Sequence, residues 1–143
     1  MNLCGEFTSS NPEDTLSLGN NIASLLEAGD IVFLIGDLGS GKTLIARGIA
    51  RGLGYDGPVT SPSFTLVKTY PGKHTIHHCD LYRLQPEDDL YELGLEDIIG
   101  ENTLVIFEWG EDFPVISYIP RWEIRIKFAE SADRRTIEWK KVE

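Results

Sequence analysis

The sequence predicts one α/β domain over residues 1–143, three layers deep, with a central mixed β-sheet flanked by helices. Three observations carry this reading. Ile31-Val32-Phe33-Leu34-Ile35 and Leu104-Val105-Ile106-Phe107 are continuous apolar runs, the pattern of strands covered on both faces. An amphipathic segment follows the first run, so strand and helix alternate. Between Trp122 and Phe128, apolar Ile124, Ile126 and Phe128 alternate with Glu123, Arg125 and Lys127, as in a strand with one wet face.

The elements follow in order. Leu3 to Phe7 reads as a short strand. Asn11-Pro12 is an N-cap with a first-turn proline, and Glu13 and Asp14 suit the positive end of a helix dipole. Leu16, Ile22, Leu25 and Leu26 continue that helix, with Gly29 as its expected C-cap. Asp30 to Ile35 is a buried strand. A glycine-rich loop leads to a helix from Lys42 to Leu53, ending near Gly54. Ser63–Thr69 and Thr75–Tyr82 form a hairpin about Pro71-Gly72. Gln85 to Leu93 is acidic and helix-prone, Thr103 to Glu108 is a second buried strand, and Trp122–Phe128 with Arg135–Trp139 closes the sheet as an antiparallel pair.

Composition restricts the function. With 143 residues, 41% hydrophobic and 25% charged, the chain has the size and make-up of one globular domain. Thirteen basic against 23 acidic residues give a net charge of −10. That field repels phosphate backbones, which argues against autonomous binding of DNA or RNA along a broad surface, although a local pocket for one nucleotide is allowed. No apolar run approaches the roughly 20 residues that span a bilayer, and the start, MNLCGEF, resembles no secretory signal. Cys4 and Cys79 form no C-x-x-C pair, so a reducing cytoplasm is the expected location.

Gly36-Asp37-Leu38-Gly39-Ser40-Gly41-Lys42-Thr43 matches G-x-x-x-x-G-K-[ST] between a buried strand and an amphipathic helix, the setting a P-loop requires. Its glycines let backbone N–H groups converge on an anion. The helix N-terminus adds partial positive charge, Lys42 suits the β- and γ-phosphates, and the Thr43 hydroxyl suits Mg²⁺. The motif predicts a P-loop NTPase-like domain. No N-K-x-D segment for guanine occurs, which favours ATP, and Trp109 offers a stacking platform for adenine.

A P-loop needs an acidic group for metal or water. Glu108 ends an apolar run and is expected at the sheet's carboxyl edge, where α/β folds bind ligands. Asp80 lies in His78-Cys79-Asp80-Leu81-Tyr82-Arg83, where period-two alternation sets His78, Asp80 and Tyr82 on one face. A zinc cluster of His74, His77, His78, Cys79 and Asp80 is disfavoured because neighbouring strand residues point to opposite faces. Thr60-Ser61-Pro62-Ser63-Phe64-Thr65 is a hydroxyl-rich loop, readable as a capped turn or as a switch-like segment.

GDLGSGKT, TSPSFTLV, H-x-D-x-Y-R-L, ELGL-x-D and E-W, in that order from Gly36 to Trp109, closely resemble the TsaE family of small bacterial P-loop ATPases needed for threonylcarbamoyladenosine in tRNA. The resemblance implies that Lys42 binds phosphate, Thr43 and Glu108 hold Mg²⁺, Trp109 flanks the adenine, Asp80 is needed for activity, and Ser61 and Thr65 belong to a switch-like loop. It also implies work with TsaD and TsaB, the pair that transfers the threonylcarbamoyl group to the adenosine beside the anticodon. Leu44 stands where the family often has a second threonine. Asn11 and Arg134 or Arg135 are further candidates to hold the nucleotide. The reaction expected is in-line attack of water on the γ-phosphate, slow without partners. The rival readings are a small-molecule kinase and a nucleotide-dependent switch that needs no hydrolysis.

Overall fold

The computed structural model describes residues 2–60, 62, 66–85, 94–131 and 133–143. Its strands are β1 (Cys4–Ser9), β2 (Ile31–Ile35), β3 (Val67–Tyr70), β4 (Thr75–Asp80), β5 (Thr103–Glu108), β6 (Arg121–Phe128) and β7 (Arg135–Val142), with helices α1 (Pro12–Ala23) and α2 (Lys42–Gly52). They form one seven-stranded sheet ordered β1-β7-β6-β2-β5-β4-β3. β2 runs parallel to β5 and β6, and β5 is parallel to β4. The edges are antiparallel, through β6–β7, β7–β1 and β3–β4. The sheet is therefore mixed, as its sequence pattern requires.

The period of two sorts the apolar side chains onto two faces. Val32, Leu34, Leu104, Ile106, Ile124 and Ile126 pack against Leu18 and Ile22 of α1 and Ile45 and Ile49 of α2. Phe33, Val105, Phe107 and Cys79 pack on the opposite side against Leu95, Phe113 and Ile116. Both α-helices thus lie on one face. Among the described residues, the third layer consists of 3-10 turns at Leu95–Ile98 and Gly110–Asp112 and the chain that follows the latter. The helix expected over Gln85–Leu93 falls on 86–93, outside the described residues.

The two helices approach backbone to backbone. A Cβ at Gly48 would lie 2.3 Å from the Leu16 carbonyl oxygen, and one at Gly19 would lie 2.7 Å from that of Ile45. α1 begins as expected, with Asn11 Oδ1 accepting from the Asp14 N–H at 2.8 Å. Its end differs from expectation. The helix stops at Ala23 and is capped by Ser24, while Gly29, at φ 93°, instead forms the turn into β2. Leu25 and Leu26 keep helix-like spacing because their N–H groups bond to Ile22 and Ala23 in successive tight turns. No helix of the described residues is long and apolar enough to cross a membrane.

Candidate functional site

β2 ends at Ile35 and the glycine loop turns back at once, with the Ser40 N–H donating to the Asp37 carbonyl at 3.1 Å. Gly36 lies so close to β6 that a Cβ there would sit 2.6 Å from the Ile126 carbonyl oxygen. Gly41 takes φ 115° as the N-cap of α2 and supplies no side-chain acceptor. The first-turn N–H groups of α2 are therefore left for an external acceptor, which is how helix N-termini receive anions.

Lys42, the first residue of α2, is 5% exposed. Its ammonium donates to the Gly36 carbonyl at 2.7 Å and lies 3.5 Å from the centroid of the Trp109 ring. Burial pulls its pKa below the ordinary lysine value, opposed by the charges of Glu108, Glu111, Asp80 and Asp37. A cleft of about 510 Å³ opens here, lined by Leu38, Lys42, Thr43, Asp80, Glu108 and Trp109.

The two carboxylates reach this cleft because of strand register. Asp80 ends β4, Glu108 ends β5, and the parallel pairing sets them side by side. Asp80 Oδ1 accepts from the Tyr82 N–H at 2.9 Å. Glu108 is buried, and its Oε2 lies 2.5 Å from Nε2 of the wholly buried His78. Immediately after Glu108 the chain bends sharply, with Trp109 in the left-handed region at φ 66°. The Trp109 ring packs on Tyr82 with centroids 5.0 Å apart.

The remaining candidates divide about the loop. Asn11, Thr15, Ser40, Leu44, Asp133 and Arg135 line a second hollow of about 480 Å³. Asn11 spends its carbonyl on capping α1, which leaves its amide NH₂ to offer a ligand. Arg135, not Arg134, meets the loop, its Nε donating to the Ser40 carbonyl at 3.0 Å. Arg134 is exposed. Trp109 lies with Lys42, Asp80 and Glu108, in a different hollow from Asn11 and Arg135. Ser61 and Thr65 lie outside the described residues.

Two features were missed from sequence. One is the His78–Glu108 contact, which crosses from β4 to β5 and depends on register, although the shared parity of His78 and Asp80 pointed to that face. The other is Arg47, which lines the main cleft and whose Nε is buried without a hydrogen-bond partner; its position in α2, one turn beyond Thr43, was the available signal.

The donor set suits a hard divalent cation held partly by a ligand. Among the described residues no three His, Cys, Asp or Glu side chains form a metal-binding group. The cleft instead offers the Thr43 hydroxyl and two adjacent carboxylates, the sparse oxygen set with which Mg²⁺ is bound alongside phosphates.

A glycine loop between a central parallel strand and an uncapped helix, with a buried lysine and two strand-end carboxylates, defines a P-loop α/β domain. The family model for "Threonylcarbamoyl adenosine biosynthesis protein TsaE" matches residues 9–137. A Treponema pallidum protein named tRNA threonylcarbamoyladenosine biosynthesis protein TsaE is 37% identical over 121 residues, covering 85% of this chain and 88% of the relative. A Rickettsia bellii protein of the same name is 39% identical, with 85% of each chain covered. The crystal structure of Bacillus subtilis YdiB superposes with a TM-score of 0.77 at 32% identity, over 98% of this chain and 86% of that one. The chain belongs to the TsaE family.

Proposed function

We propose that this protein binds ATP with Mg²⁺ at the glycine loop and hydrolyses it slowly, as the nucleotide-driven component of tRNA threonylcarbamoyladenosine synthesis. In this reading TsaD and TsaB perform the transfer, and the acidic chain meets tRNA only through them, in the cytoplasm. The observation that carries the reading is the convergence of Lys42, Thr43, Asp80 and Glu108 on one cleft at the mouth of an uncapped helix. Membership of a family whose relatives carry that pathway in their names supports the biological setting.

Each residue has a distinct task. The amides of Gly39 and of Gly41 to Thr43 donate to phosphate oxygens, and Lys42 leaves the Gly36 carbonyl to offer its ammonium to the terminal phosphates. Thr43 with Glu108 or Asp80 holds Mg²⁺, which when bound neutralises charge on phosphate oxygens. The carboxylate not engaged in that way orients the attacking water. The hollow beside Leu44, Asn11 and Arg135 offers room for the nucleoside, while Trp109 covers the lysine side.

Single-turnover hydrolysis of ATP, with and without the TsaD–TsaB pair, tests this reading. Faster turnover with the pair supports it. Equal rates, together with tRNA modification supported by a binding-competent Glu108→Ala protein, would favour the non-hydrolysing switch. Phosphorylation of a metabolite by the pure protein would favour a kinase.

A further inference from the structure

The roles above employ Glu108 but leave His78 without one. Its ring is wholly buried on β4, two residues before Asp80, and it reaches Glu108 diagonally across the parallel strands. Nε2 meets Glu108 Oε2 at 2.5 Å, whereas Nδ1 has no hydrogen-bond partner. An imidazole buried with one nitrogen unsatisfied is unfavourable, and an apolar side chain on this face would avoid that cost. The contact with the carboxylate is what distinguishes histidine here from leucine or phenylalanine.

The need for such a contact follows from Lys42. The terminal torsion of a glutamate is soft, and Glu108 is the strongest of the carboxylates acting on the Lys42 charge. A Glu108 free to swing would close onto the ammonium and occupy the cation that an incoming phosphate requires. With one oxygen held by His78, the carboxylate is restrained on its own strand and leaves a single oxygen to serve the cleft. Asp80 has a separate restraint in the Tyr82 N–H.

We infer that His78 is a positioning residue that restrains Glu108 and so keeps Lys42 available to anions. The activity of the site is taken from the function proposed above, but the restraint itself does not depend on it.

Two measurements test the inference. In the free protein, imidazole NMR should show one low-field, exchange-protected Nε2–H proton that disappears in Glu108→Ala; its absence from the wild type overturns the inference. Pyrophosphate binding without metal provides the second arm. His78→Leu should weaken it about tenfold, His78→Gln, which retains an N–H donor, should stay within about threefold of wild type, and His78→Leu/Glu108→Gln should recover because no carboxylate remains to swing. A folded His78→Leu protein with wild-type affinity, or a double variant that stays weak, overturns the inference. If His78→Leu fails to fold, the NMR signal and the His78→Gln affinity decide. A wild type that binds neither pyrophosphate nor ATP removes the proposed function, while the NMR arm still decides the restraint.

Discussion

The Lys42 ammonium sits 3.5 Å from the centre of the Trp109 ring while it donates to the Gly36 carbonyl. The lysine proposed to meet phosphate is thus already engaged on two sides. A desolvated cation–π contact is worth up to about 2 kcal/mol, and an incoming anion must exceed it. Trp109→Leu should therefore tighten metal-free pyrophosphate binding several-fold, measured by calorimetry. In the wild type, the same ligand should change tryptophan emission by drawing the ammonium from the ring, with buried Trp122 and Trp139 as a constant background. Unchanged affinity in Trp109→Leu would remove the restraining role given to the ring.

Removing the cation should act in the opposite direction. Lys42→Met keeps the length of the stem without the charge. Loss of a charge-assisted hydrogen bond of about 1.5–3 kcal/mol predicts ATP affinity at least tenfold weaker. The melting temperature should change little, because burial disfavours the ammonium in the fold while the Gly36 carbonyl and the Trp109 ring favour it. Calorimetry and thermal melting check the two halves separately.

Packing between the helices gives a prediction that does not depend on any ligand. Gly48→Ala places a methyl group 2.3 Å from the Leu16 carbonyl. Backbone cannot yield as a flexible side chain does, so α1 and α2 must separate, at a cost of about 1–3 kcal/mol. Urea unfolding should show that loss. Arg51→Ala, on the same helix but less buried, should change stability less.

Acid should expose the ion cluster on β6. Burial alone would raise the Glu123 carboxyl, but the Arg121 hydrogen bond and the Arg121 and Arg125 charges outweigh it and hold the pKa below the ordinary 4.5. Arg121 Nη2 and Arg125 Nη2 lie 2.6 and 3.2 Å from its oxygens. A depressed carboxylate pKa stabilises the fold above the unfolded value and loses that effect as pH falls through the folded one. Glu123→Gln should cost about 1–3 kcal/mol at pH 7, and the gap from wild type should narrow as pH drops below 4.5. Denaturant melts across pH check both.

The features legible in the sequence were those set by local chemistry. β2 and β5 followed from apolar continuity, the glycine loop from its motif, and the position of Glu108 at a strand end from the break in an apolar run. What stayed hidden depended on partners distant in sequence. The stop of α1 at Ala23 was masked because the tight turns after it keep helical spacing. The His78–Glu108 contact needed the β4–β5 register. The contact of Arg135 with the loop was partly legible, since Arg135 shares strand parity with buried Ile137 and Trp139 and so faces the helices. Its actual partner, the Ser40 carbonyl, lies 95 residues away in sequence.

The place of β7 in the strand order has a consequence for biosynthesis. Among the described strands β1 pairs with β7 alone, which lies between it and β6. During vectorial synthesis, in which N-terminal segments emerge first, β1 waits unpaired until β7 has emerged from the ribosome. Arg135, the guanidinium that secures the glycine loop, arrives with that same strand. A nascent chain can therefore complete its helices early, yet it acquires a secured loop only when β7 joins the sheet.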